Sequence, residues 1–318
     1  MPSISRNIGF VMDPIASIAP TKDSTLAMML AAAERGDTLW MMQQGDLYLD
    51  RGVAYADATA VSVRDDAQDW YTAGERRTWH LGDFDAILMR KDPPFNMEFI
   101  YTTYLLDLAE KAGCLVVNKP SALRDMNEKM ATAWFPELTP ATLVTRSMSR
   151  IRDFLTEFGH IVVKPLDGMG GRSIFTLHHG DKNTNVVLET LTDYGHQFAM
   201  AQAFMPEITD GDKRVLLIDG EPVPHMLARV PNAEDGRGNL VMGATADARP
   251  LGDAERHIAK AVGPMLRERG VVFAGLDVIG DKLTEINVTS PTGIREIDKH
   301  FGTSIAGDLM AAIAAKLD

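Results

Sequence analysis

The chain has 318 residues, enough for about two domains at roughly 150 residues each. Hydrophobic residues make up 45% and charged residues 24%, the balance of a globular chain and not of a disordered or fibrous one. The formal charge is −12, shared as 11 basic against 17 acidic residues up to position 122 and 21 against 27 beyond it, which argues against nonspecific binding to nucleic acid or to a membrane surface.

Strand and helix alternate through the first third. Residues 8–12 read as a buried strand, cut at Asp13 and Pro14. A helix over 24–35 follows and stops at Gly36, and 38–42 is a second strand. Residues 45–77 are polar and turn-rich, with short β-like pieces around 53–63. A third strand, 86–89, ends at Arg90-Lys91-Asp92-Pro93-Pro94. A helix over 98–111 is stopped by Gly113, and 115–117 is a fourth strand. This alternation predicts an α/β unit with a parallel sheet, whose ligands meet the C-terminal ends of the strands; Asp13 and Arg90 stand on that rim.

Beyond residue 122 the pattern changes. Helices are expected near 126–133, 149–158, 184–194 and 253–269. Strands are expected at 161–164, 174–177, 198–203, 212–218, 221–230, 273–279 and 283–288. Asp219-Gly220 joins two of them as a hairpin, so this part reads as α+β with antiparallel sheets. The longest apolar run, 26–33, is far short of the roughly 20 residues a spanning helix needs. The single cysteine, Cys114, excludes an internal disulfide and fits a reducing compartment. A cytoplasmic protein is expected.

Two segments carry chemistry. In Ile161-Val162-Val163-Lys164-Pro165 a strand delivers a fixed positive charge, and Gly168, Gly170 and Gly171 then leave backbone free to fold over phosphates. The same segment also reads as a glycine-rich turn beside a surface lysine. The second runs from Phe273 to Ile279, turns at Gly280-Asp281-Lys282 and returns from Leu283 to Val288. With an odd loop, Ile279 faces Leu283 and Asp277 faces Glu285, placing Asp277, Glu285 and Asn287 together on one face. Two carboxylates and an amide oxygen suit Mg²⁺, with phosphate and water completing the shell. The competing reading is a solvated polar face. Arg90, Arg214, Arg229 and Arg237 offer planar forks for carboxylate or phosphate, and no protein nucleophile has a candidate.

Lys164-Pro165, Asp167-Gly168-Met169-Gly170-Gly171 and Asp277 … Glu285-Ile286-Asn287 together resemble the ATP-grasp superfamily of carboxylate–amine ligases. The segments Val11-Met12-Asp13-Pro14-Ile15, Met89-Arg90-Lys91-Asp92-Pro93-Pro94-Phe95, Asn118-Lys119-Pro120, Gly211-Asp212-Lys213-Arg214-Val215 and Thr284-Glu285-Ile286-Asn287-Val288-Thr289-Ser290-Pro291 narrow the resemblance to the bacterial glutathione synthetase family.

The resemblance implies an N-terminal α/β domain (1–122) and two α+β lobes (123–201 and 202–318) that form an ATP-grasp clasp. It implies ATP phosphates on Lys129, Lys164, Gly168, Gly170 and Gly171, adenine along Gln202, Ala203 and Met205, and ribose near Asp212. Two Mg²⁺ or Mn²⁺ ions on Asp277, Glu285 and Asn287 are implied too. Substrate contacts fall on Lys22, Arg90, Arg214, Arg229, Arg237 and Ser290, with Lys164 and Arg214 catalytic. The implied reaction condenses γ-glutamylcysteine with glycine, and the implied assembly is a homotetramer. Residues 167–173 and 231–243 are the expected lids. Two alternatives stand beside it: an ATP-grasp ligase for another amino acid, and a nucleotide-binding regulatory protein that has lost turnover.

Overall fold

Continuous apolar runs, buried on both faces, build the centre of the first sheet. In chain order its unit comprises β1 (Asn7–Val11), α1 (Ser24–Glu34), β2 (Thr38–Met42), β3 (Leu47–Asp50), β4 (Val53–Val63), β5 (Tyr71–His80), β6 (Ala86–Met89), α2 (Met97–Lys111), β7 (Leu115–Val117) and α3 (Pro120–Asp125). The computed structural model describes residues 5–168, 172–231 and 245–318. The sheet runs β3-β4-β2-β1-β6-β7, with β5 on β4. The expected parallel core is β2-β1-β6-β7. The turn-rich stretch differs: β4 is one continuous strand of 11 residues, and β3, β4 and β5 extend the sheet antiparallel to one another. Ala54, Ala56 and Ala58 form its buried face, and alanine gives little strand signal although its small side chain fits beneath packed neighbours.

Local chemistry sets the helix ends. The Asp23 carboxylate accepts the Leu26 N–H at 2.6 Å and starts α1, and the Asn96 amide oxygen accepts from Phe99 to start α2. Past α3 the expected helix at 126–133 is replaced by a tight 3-10 turn, Met130–Trp134. The reason is Asn127, whose side-chain oxygen accepts the N–H groups of Lys129 and Met130 and so competes with the helical ladder.

The middle unit contains β8 (Thr142–Thr145), α4 (Met148–Phe158), β9 (His160–Pro165), β10 (Phe175–His178), α5 (Thr184–Thr192) and β11 (Ala199–Ala203). Its antiparallel sheet runs β10-β9-β11-β8. The last unit has β12 (Asp212–Ile218), β13 (Glu221–Val230), β14 (Thr245–Pro250), α6 (Asp253–Glu268), β15 (Phe273–Ile279), β16 (Lys282–Asn287), α7 (Ile294–Phe301) and α8 (Ile305–Leu317). Its sheet, also antiparallel, runs β14-β13-β12-β15-β16. Helices α7 and α8 and strands β8 and β14 are additions to the sequence reading.

Two apolar clusters each combine the first and last units, for example Met89 and Leu106 with Val215 and Leu276, or Phe10 and Met28 with Ile294 and Leu309. Asn118 ties the same units with four buried hydrogen bonds: its amide nitrogen donates to Phe273 O and Val288 O, and its oxygen accepts from Val272 and Phe273. The third cluster draws only on the middle unit, around Leu155, Val163, Leu177 and Leu188. Among the described residues no helix is long and apolar enough to cross a membrane.

Candidate functional site

The β15–β16 hairpin reaches the expected face by an unexpected route. Its loop is the two-residue turn Gly280-Asp281, so Ile279 lies opposite Lys282 and Val278 opposite Leu283. This corrects the odd-loop register, in which Ile279 faced Leu283. Gly280 takes φ +59°, a conformation glycine adopts without strain. Continued regularly, that register would set Asp277 against Thr284. The register shifts instead, leaving Thr284 as the extra residue of a bulge, and its hydroxyl donates to Asp277 O at 3.1 Å. Asp277 therefore lies opposite Glu285, and Gly275 opposite Asn287. Leu276, Val278, Leu283 and Ile286 occupy the buried apolar side.

Each carboxylate on this face is met by two cations. Arg214 on β12 grips Asp277 as a fork, Nε to Oδ1 at 2.5 Å and Nη2 to Oδ2 at 3.0 Å. Arg229 on β13 reaches Asp277 Oδ2 at 2.9 Å and Asp212 Oδ2 at 2.6 Å. Glu285 Oε1 lies 3.4 Å from Lys164 Nζ and 3.5 Å from Lys129 Nζ. Lys129 Nζ also donates to Gly168 O at 2.7 Å and pairs with Glu128 Oε1. Lys164 comes from β9 of the middle unit, so Glu285 makes an ionic link between the two lobes.

Burial makes these pairings strong. It pushes the Asp277 and Glu285 carboxyls up, but Arg214 and Arg229 outweigh it at Asp277, and Lys129 and Lys164 outweigh it at Glu285, so both end below their ordinary values. Burial pushes the Lys129 ammonium down, and Glu285 with Glu128 more than restores it. Asp212 is the exception: burial raises it to about 6 despite Arg229. Its Oδ1 is buried without a hydrogen-bond partner among the described residues.

A second group lies on the rim of the first sheet. Arg90 is buried after β6; its Nε donates to Thr25 Oγ1 at 3.1 Å and its Nη2 to Pro291 O at 3.0 Å, while Nη1 is buried without an acceptor among the described residues. Ser290 Oγ donates to Asp92 Oδ1 at 2.6 Å, and the Asp92 N–H donates to Asp13 Oδ2 at 3.0 Å. Lys91 Nζ closes on Asp13 Oδ1 at 2.8 Å. Lys22 stands exposed before α1 and joins none of these contacts.

The remaining expected residues divide. Gln202 is buried in β11 and donates to Thr142 Oγ1 at 3.1 Å, while Ala203 N–H is taken by Ala141 O. Met205 is half-buried just before a 3-10 turn. Gly170, Gly171, Arg237 and most of the expected 231–243 lid lie outside the described residues. Sequence reasoning gave no role to Glu128, because a carboxylate beside Lys129 reads as an ordinary surface neighbour until burial is known. Its carboxyl is raised by burial and by Glu285, against the pull of Lys129.

The donor set fits hard divalent cations bound beside a polyphosphate. Among the described residues no three histidine, cysteine or carboxylate side chains gather as a metal-ready cluster. The set here is two carboxylates and an amide, which leaves ligand positions for phosphate oxygens and water. Oxygens remain for it: Glu285 Oε2 makes no hydrogen bond among the described residues, and Asp277 Oδ1 accepts only one.

Comparison with known proteins agrees with this geometry. Residues 7–124 match the model of the prokaryotic glutathione synthetase N-terminal domain, and residues 128–302 that of the prokaryotic glutathione synthetase ATP-grasp domain. The chain belongs to the prokaryotic glutathione synthetase family. It is 56% identical to the glutathione synthetase of Pseudomonas syringae pv. tomato over 314 residues, 99% of this chain and 98% of that one. It is 53% identical to that of Escherichia coli K12 over 310 residues, 98% of each. Among solved structures, D-cycloserine synthetase DcsG superposes with a TM-score of 0.71 at 16% identity, covering 98% of this chain and 100% of that one. D-alanyl-alanine synthetase A from Vibrio cholerae superposes at 0.60 with 10% identity, covering 98% of each. These structural likenesses establish the ATP-grasp fold of the family.

Proposed function

We propose that the chain is an ATP-dependent ligase joining γ-glutamylcysteine to glycine to make glutathione, ADP and phosphate. The observation that carries this reading is Asp277 and Glu285 on one face of a hairpin, each met by two cations, with Lys129 and Lys164 crossing from outside that sheet. A carboxylate is a poor electrophile, so ATP first converts the cysteinyl carboxylate to an acyl phosphate. Glycine's amine then attacks the acyl carbon, and phosphate leaves as the C–N bond forms. No protein nucleophile is needed.

Lys129 and Lys164 neutralise the transferring phosphoryl group, and Gly168, Gly170 and Gly171 are assigned to the ATP phosphates with them. Asp277, Glu285 and Asn287 would hold two Mg²⁺ or Mn²⁺ ions, which would supply further charge neutralisation for the phosphates. Arg214 spends Nε and Nη2 on Asp277, which leaves Nη1, now on Thr292 O at 3.4 Å, as the donor available to a tetrahedral oxyanion. Arg90 Nη1 is a ready donor for a carboxylate of the peptide, supported by Arg229 and Ser290, with Lys22 and Arg237 at the margin. Adenine lies along Gln202, Ala203 and Met205, and Asp212 addresses the ribose. The three-part division at 122 and 201, a homotetrameric assembly and a cytoplasmic setting complete the reading.

Phosphate release from ATP, with γ-glutamylcysteine and glycine each omitted in turn, tests it. Release that needs both substrates is expected. Release that needs neither, or that accepts alanine or glutamate in place of glycine equally well, overturns it.

A further inference from the structure

The segment Asp23-Ser24-Thr25 has the composition of a plain helix start, yet only one of its three polar side chains caps α1. Asp23 accepts the Leu26 N–H at 2.6 Å. Ser24 Oγ instead accepts the Ile294 N–H at 3.4 Å, and Thr25 Oγ1 accepts from Arg90 Nε at 3.1 Å across 65 residues. Ser24 and Thr25 are both buried, and both hydroxyls serve groups outside their own helix.

What Thr25 holds is the direction of a charge. Arg90 is 6% exposed, and its backbone N–H donates to Val11 O at 2.7 Å, carrying the pairing of β6 with β1 one residue past the strand. A guanidinium is planar, so acceptors on two of its nitrogens fix the direction of the third. Thr25 Oγ1 takes Nε and Pro291 O takes Nη2, while the guanidinium carbon stands 5.9 Å from the centre of the Phe273 ring. Nη1 is thereby set in one direction, buried and without an acceptor among the described residues. Its surroundings are short of negative charge. Burial pushes the Arg90 guanidinium down, Asp23 and Asp92 pull it back, Arg214 adds repulsion, and the balance stays below the ordinary value. Pro291 offers only its backbone, so Thr25 is the side chain through which the sequence controls the plane of the fork. We propose that Thr25 is a positioning residue for the reaction: it orients the Arg90 guanidinium so that Nη1 donates to a carboxylate of γ-glutamylcysteine.

This inference rests on the ligase reading, in which Arg90 binds the peptide. Initial rates of phosphate release, with γ-glutamylcysteine and ATP varied separately, test it. Wild-type release that needs no peptide overturns the ligase reading and this assignment with it; the remaining outcomes bear on Thr25 alone. Thr25→Val keeps the side-chain shape and removes the acceptor. It is expected to raise the KM for γ-glutamylcysteine about ten- to a hundredfold, the scale of one hydrogen bond to a charged group, and to leave the KM for ATP unchanged. Thr25→Ser keeps the hydroxyl and is expected to hold the peptide KM near the wild-type value. In an Arg90→Gln background Thr25→Val is expected to add no further rise, because the group it positions is gone. An unchanged peptide KM in Thr25→Val, an equal rise in the KM for ATP, a Thr25→Ser value as high as that of Thr25→Val, or a full further rise on top of Arg90→Gln overturns the assignment. Should Thr25→Val fail to fold, Thr25→Ala, a better helix former, takes its place in each comparison.

Discussion

The middle sheet, β8 to β11, and the last sheet, β12 to β16, are both antiparallel, yet they bury different things. Among the described residues the middle sheet and its helices bury an apolar cluster of their own and one charged side chain, Lys164. The last unit buries Lys213, Arg214, Arg229, Glu255 and Asp277, and its apolar side chains are shared with the first unit. The lobe with a private core meets the rest through polar contacts that include Lys164 to Glu285, Asn127 to Leu166 O and Lys129 to Gly168 O. The last sheet instead shares its core with the first unit. The charged groups follow the same division: the last sheet is the platform that carries Asp277 and Glu285, and the separately packed lobe presents Lys164 and Gly168 O beside them.

The comparison breaks first at the platform. Asp277→Ala leaves Arg214 and Arg229 buried with one carboxylate fewer, and removal of one partner from a buried ion pair typically costs about 3–5 kcal/mol. Denaturant unfolding is expected to register a loss of that size, along with lost turnover. A midpoint shift no larger than that of an exposed ion pair would mean the Asp277 cluster is wet. Glu285→Gln is expected to reduce turnover by roughly 10²–10³, the scale of losing one preorganised charge contact at a reacting group. Its unfolding midpoint should fall less than that of Asp277→Ala, because the amide keeps the side-chain shape and a hydrogen-bond acceptor for Lys129 and Lys164. Near-normal turnover in this variant would remove Glu285 from the proposed metal set.

A core substitution in the middle lobe sharpens the same contrast. Leu188 is fully buried in the private cluster, and Leu188→Ala is expected to cost about 2–5 kcal/mol through lost contacts and a residual cavity. Because that cluster is not shared, hydrogen exchange should accelerate in β9, β10 and β11 and stay unchanged in β12, β15 and β1. Uniform acceleration across all three sheets would show that the lobes unfold as one body and that the separation of cores has no energetic meaning.

What the sequence made legible follows from the range of the forces involved. Alternation in 273–279 and 283–288 was enough to put Asp277 opposite Glu285, because apolar residues on one side force polar residues to the other. It was not enough to set the turn, since a two-residue loop with a bulge and an odd loop produce the same pairing at Asp277; the pairs beside the turn, Ile279 with Lys282 and Val278 with Leu283, and the Thr284 hydroxyl on Asp277 O distinguish them. The 53–63 strand was understated because its buried face is alanine. The helix expected at 126–133 was lost to Asn127, whose competing hydrogen bonds depend on the turn it sits in. The ionic network was visible as residue types but not as pairs: Arg214 meets Asp277 across 63 residues, and Lys164 meets Glu285 across 121. Such partners emerge from sheet order, which no local pattern encodes.

The smallest effect tests the polarity of the platform at its edge. Asp212 begins β12, is half-buried, and has its carboxyl raised to about 6 from the ordinary 3.8. Burial is the main cause; Arg229 pulls the other way, and Asp277 and Glu285 add repulsion. Between those two values the folded chain holds a proton that the unfolded chain has already released. Stability therefore declines as pH rises from about 4 to about 6, then levels off once both states are ionised. Asp212→Asn cannot titrate, so its denaturant midpoint should lack this decline while keeping the pH dependence contributed by Asp277 and Glu285, which lies at lower pH because both are shifted down. Parallel midpoint curves for the two proteins across that window would place Asp212 in water, and with it the outer edge of the charged platform that distinguishes the last sheet from the middle one.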